Sequence, residues 1–73
     1  MKYPNCTVSL AGVDGNAFAV MGAVTAELKR HLRDKGMEPP EIRKEIEAFR
    51  NEAMSGDYQN LLNVCTEWVD VTL

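Results

Sequence analysis

A chain of 73 residues with 45 % hydrophobic and 26 % charged residues is one small globular domain, and at this size folding buries only about 60 % of the surface of the unfolded chain. Its net charge of −3 argues against nucleic acid as the main partner, because phosphate binding needs a basic surface. Two cysteines without CxxC spacing and a single histidine give no metal-ligand pattern, so neither metal nor cofactor is expected.

In chain order, Met1 to Asn5 reads as a mobile tail, with the globular domain covering 6–73. Tyr3 on that tail has little structural reason to be aromatic and is a candidate partner contact. Cys6 to Leu10 alternates with period 2 and places Cys6, Val8 and Leu10 on one face, which predicts a strand. Gly12-Val13-Asp14-Gly15 is turn chemistry, with Asp14-Gly15 expected to make the turn. A strand, a glycine loop and a helix start suggest a phosphate cradle. The spacing fits neither GxGxxG nor a P-loop, no lysine follows, and Asp14 would repel a phosphate.

Asn16 is a good N-cap for a first helix over about Ala17 to Lys35. Phe18, Met21, Thr25, Leu28 and Leu32 form its apolar stripe, with Val24 and His31 at the edge. The apolar first half is expected to be surrounded by other elements, with Gly22 permitting a close approach. The second half ends in Lys29, Arg30, Arg33 and Lys35, which complement the helix dipole, and Gly36 is a natural C-cap. The prolines of Met37-Glu38-Pro39-Pro40 start a second helix, about Pro40 to Met54, with Ile42, Ile46, Phe49 and Ala53 inward and Arg43–Glu47 paired outside. Ser55-Gly56-Asp57 separates it from a third helix, about Tyr58 to Glu67, with Leu61, Leu62 and Cys65 inward. Trp68 to Leu73 alternates again and places Val69, Val71 and Leu73 on one face of a second strand. Trp68 itself suits either the core or a binding hot spot.

The fold class is therefore α+β, in the order β-α-α-α-β, with three helices packed on a two-stranded sheet formed by the terminal strands. A lone strand leaves backbone groups unsatisfied, which is why the two must pair. Three helices alternating in direction make the pairing parallel, unless the short third helix lies crosswise. Such a sheet has open edges on which another chain can add a strand.

Cys6 and Cys65 read as reduced, buried thiols. His31 reads as an exposed helix residue loosely paired with Glu27. A domain this small has little room for a catalytic cleft, so the chain reads as non-enzymatic. Asp14 interrupts the apolar residues that follow Lys2, so no secretory leader is read. The longest apolar run, Ala17 to Ala26, is far shorter than the about 20 residues a bilayer requires. A cytoplasmic protein without a membrane partner is expected. The candidate contact residues are Tyr3, Lys29, Arg30, Arg33 and Lys35, with Arg43 and Lys44 joining if the second helix folds back.

"DGNAF" at 14–18, "MSGDY" at 54–58 followed by Leu61-Leu62, and "WVDV" at 68–71 resemble a family of small proteins common in bacteriophage genomes. Size and character are similar to a small RNA-polymerase-binding regulator of a lytic phage of plant-pathogenic bacteria. The resemblance implies a protein of the host cytoplasm that binds the host polymerase at the N-terminal segment of β′ and at the β flap, near the RNA exit channel. It implies inhibition of initiation, antitermination, and no specific DNA binding, and it leaves an elongation factor open as a further partner. The alternatives are a counter-defence protein that sequesters a small ligand such as a nucleotide, a non-enzymatic interaction module of unspecified partner, and a structural module with no partner beyond itself. None of the quoted residues is a catalytic signature.

Overall fold

The computed structural model describes residues 1–72, arranged as β1 (Tyr3–Ser9), α1 (Ala17–Asp34), α2 (Pro39–Ala53), α3 (Tyr58–Trp68) and β2 (Val69–Thr72). The two strands pair in parallel as one sheet. The α+β class and the β-α-α-α-β order are those expected from the sequence. The expected inward position of Leu73 lies outside the described residues.

Local chemistry sets the helix limits. Asn16 accepts the Ala19 N–H at 2.8 Å and Asp57 accepts the Asn60 N–H at 2.9 Å, each satisfying one of the unpaired donors at a helix start. At the start of α2 the two prolines have no N–H to satisfy, and Glu38 acts as N-cap without using its side chain. Gly36 turns the chain out of α1 at φ +86°, and Met37 N–H donates back to Leu32 C=O at 3.1 Å, a left-handed helix stop. The turn after β1 differs from expectation. Val13 N–H donates to Leu10 C=O and Gly12 takes φ +77°, so the positive φ falls on Gly12 and the turn spans Leu10–Val13.

The core is drawn from all five elements. Cys6 and Val8 come from β1, Val24, Leu28 and Leu32 from α1, Ile46, Phe49 and Ala53 from α2, Leu61, Val64, Cys65 and Trp68 from α3, and Val69 from β2. Phe49 is fully buried and meets Trp68 edge-on, with ring centroids 5.5 Å apart. Trp68 is a core residue and the last residue of α3 rather than the first of a strand. The spacing 61, 64, 65, 68 is a helical stripe, and it overrides the period-2 pattern that starts beside it.

The N-terminal tail needs correction. The strand begins at Tyr3, not Cys6, and Lys2 N–H donates to Glu67 C=O at 2.8 Å. Tyr3 pairs with Val69 and Thr7 with Asp70, so Pro4, Asn5 and Cys6 form an irregularity with no register partner between them. A proline, which cannot donate to a ladder, is tolerated at such a place. The local pattern hid this, because Pro4-Asn5 reads as a break.

Two expectations for α1 also fail. Phe18 is 79 % exposed rather than inward. Gly22 faces open space, and nothing lies within 4 Å of where its Cβ would be. The buried set is Val20, Met21, Val24, Thr25, Leu28 and Leu32, so the first half of the helix is covered on one side only.

Replacing Phe49 by Ala removes the largest fully buried side chain and its contact with Trp68, which costs about 3–5 kcal/mol. Urea denaturation should show the variant mostly unfolded without denaturant, because a domain of this size has little stability in reserve.

Candidate functional site

The glycine loop is closed to anions by its own residues. Asp14 accepts the Asn16 N–H at 3.3 Å, Asn16 occupies the Ala19 N–H, and the Tyr58 hydroxyl donates to Gly15 C=O. A carboxylate and an amide oxygen thus stand where a phosphate would have to enter.

The cysteines and the histidine do not assemble a nucleophilic centre. Both thiols are buried and unpaired. Burial pushes Cys65 up to about 11. Cys6 is also raised, by burial first and then by Glu27, with Arg30 opposing. A reactive cysteine needs the opposite shift, toward the thiolate. Glu27 is not held by His31 as expected; it pairs with Arg30 at 2.5 Å, and His31 instead lies against the Tyr3 ring, with centroids 6.0 Å apart.

Tyr3 is built into the fold. Its hydroxyl donates to Glu45 of α2, and its ring packs 6.2 Å from Trp68 and edge-on to His31. Lys2 pairs with the same Glu45 at 3.1 Å, and its ammonium sits 4.2 Å over the Trp68 ring. One carboxylate on α2 therefore clamps the first residues of the chain. The Tyr3 hydrogen bond holds Glu45 below the usual carboxylate range, assisted by Lys2 and opposed by burial. Burial, with the neighbouring carboxylate adding to it, pushes the Tyr3 phenol up to about 12. Expected as a free docking aromatic, Tyr3 is an internal fastening. Glu45 gave no sequence signal, because its partners are more than forty residues away and meet it only through the fold.

The basic cluster divides. Lys29 and Arg33 of α1 and Arg43 of α2 line one open groove of about 370 Å³, with Met37, Pro39 and Ile42 between them. Arg30 lies apart with Asn5, Cys6, Thr7, His31 and Asp34, and Lys35 is the exposed C-cap of α1. Lys44 faces a different hollow, shared with Lys2, Tyr3, Met37, Glu41 and Glu45. Among the described residues, Lys29, Arg33 and Arg43 make no ion pair, and the expected Arg43–Glu47 pair does not form. Lys29 and Arg33 are a like-charge i,i+4 pair, which costs a helix about 0.2–0.5 kcal/mol.

A second surface was not foreseen. Phe18 at the start of α1, Met54 after α2 and Tyr58 at the start of α3 are exposed large hydrophobic residues. They rim a hollow of about 180 Å³ floored by Met21, Ala53 and Leu61. The segments 14–18 and 54–58 meet here, tied by the hydrogen bond from Tyr58 to Gly15. The available signal was that both segments end in an aromatic residue beside a cap; the helical stripe assigned Phe18 to the interior instead.

No family model matches the chain, and comparisons with curated proteins and with solved structures find no match either. No described helix is long and apolar enough to cross a membrane.

The Glu45 clamp predicts two pH limits. A lowered carboxyl contributes stability that is present above the unfolded value of about 4.3 and lost as pH falls through the folded value. A raised phenol contributes below about 10 and loses that contribution as pH rises toward the folded value. In a Tyr58→Phe background, absorbance titration should find the Tyr3 phenol ionising near 12 and Glu45→Gln moving that midpoint down. The stability difference between Glu45→Gln and its parent should shrink in acid.

Proposed function

We propose that this chain is a phage-encoded, non-catalytic regulator that binds the host bacterial RNA polymerase, at the N-terminal segment of β′ and the β flap near the RNA exit channel. Bound there, it inhibits initiation and favours antitermination. The phage reading rests on the resemblance of residues 14–18, 54–58, 61–62 and 68–71 to small phage proteins, and the choice of polymerase on a size and character similar to a small polymerase-binding phage regulator. The observation that carries a protein-binding role is the rim of Phe18, Met54 and Tyr58, with Phe18 79 % exposed. In so small a domain, large apolar side chains gathered on one surface are costly to leave in water and are characteristic of a protein contact.

Charge supports the same reading. A chain of net charge −3 approaches a protein surface within a nucleic-acid machine without competing for its DNA.

Immobilised protein should retain host polymerase from lysate and raise read-through of an intrinsic terminator in purified transcription. The Phe18→Ser/Met54→Ser variant replaces exposed side chains, so the fold should persist while retention falls by about tenfold or more, as for loss of a hot spot. Failure of the parent protein to retain polymerase, or to alter read-through, would remove polymerase as the partner. Retention unchanged in the variant would remove the Phe18 rim as the contact.

A further inference from the structure

We infer that the groove between the end of α1 and the start of α2 binds an acidic amphipathic peptide segment, one bulky apolar side chain seated between carboxylates. The inference stands on a different surface from the Phe18 rim and does not require polymerase to be the partner.

Three observations carry it. Lys29, Arg33 and Arg43 converge on one groove from two helices, and none of them is neutralised by an ion pair among the described residues. The chain as a whole carries an excess of acids, its net charge being −3, so three unpaired cations meeting at one groove make a local attraction for an anionic segment. Between the cations lies an apolar floor, with Met37 and Ile42 half-buried and Pro39 exposed. At about 370 Å³ the groove has room for a large side chain, and methionine adapts to varied shapes.

The same features select a peptide over nucleic acid. No aromatic ring lines the groove, so bases have no stacking platform. Three cations with exposed Asp34, Glu38 and Glu41 nearby in the chain form a short, bounded patch and not a track along a phosphate backbone. Carboxylates spaced around an apolar anchor match both the charges and the floor. Lys29 and Arg33 repel each other along α1, and an anion bridging them relieves that repulsion.

The test is fluorescence anisotropy of the full chain with a labelled helix-forming peptide that carries Leu and Phe anchors at i, i+4 spacing on one face, flanked by Glu and Asp. Its counterpart carries Gln and Asn at the acidic positions. The acidic peptide should bind, and the neutral one should bind about tenfold more weakly or worse, as for loss of charge complementarity. Lys29→Glu, Arg33→Glu and Arg43→Glu should each weaken binding several-fold, and raising salt from about 0.05 to 0.5 M should weaken it further. Ile42→Ser should weaken both peptides.

Lys29→Glu also controls for folding. It places Glu four residues before Arg33, the favourable order on a helix, so its melting temperature should rise while binding falls. Equal binding of the two peptides, absence of binding, or binding unaffected by the reversals would overturn the inference. A single-stranded oligonucleotide that displaces the peptide at lower concentration would overturn it in favour of nucleic acid. Loss of polymerase retention alone would leave it standing.

Discussion

The pairing of β1 with β2 closes the chain on itself, from Lys2 N–H on Glu67 C=O to Leu10 N–H on Thr72 C=O, and the helices take their places from it. Parallel strands cannot be joined by a tight turn; they need a long crossover. Here the crossover is three helices, and their apolar stripes have one sheet face and one another to cover. Cys6, Val8 and Val69 supply the sheet's share of the core. The contacts that close the fold join residues from opposite ends of the sequence, an arrangement associated with slow folding.

The first residues of the chain bear more of this closure than their composition suggests. Register is lost between Tyr3 and Thr7, so the ladder alone holds the N-terminal end poorly. Side chains compensate. Glu45 accepts from the Tyr3 phenol and pairs with Lys2, and Lys2 covers the Trp68 ring. The rings of Phe49, Trp68, Tyr3 and His31 then follow one another from the core toward the surface. Partial burial makes these polar contacts worth more than fully solvated ones, because charges left half-desolvated and unpaired would be costly.

The loop that looked like a phosphate cradle is filled by Asp14, Asn16 and Tyr58, and burial suppresses both thiols. Two features remain that folding does not explain, and they lie in different hollows: the apolar rim of Phe18, Met54 and Tyr58, and the cationic groove of Lys29, Arg33 and Arg43. The first exposes apolar area and the second leaves like charges uncompensated. Both are features that a bound partner would relieve.

Sequence alone determined the element order, the N-caps Asn16 and Asp57, the helix stop at Gly36, the alternation of β1 and most of the core, because these follow from local geometry and from periods of 2 and 3.6 residues. The number of helices between the strands favoured a parallel sheet but left a crosswise third helix open, and the fold decided for parallel pairing. Tertiary structure decided the rest. It turned Tyr3 from a tail residue into a fastening, because only the fold brings Glu45 to it. It exposed Phe18, because the stripe of α1 continues past the elements able to cover it. And it divided one run of basic residues, Lys29 and Arg33 to one groove with Arg43, Arg30 to Glu27 and Lys35 to solvent. Neighbours in a helical sequence point in different directions, and which of them share a site depends on what packs alongside.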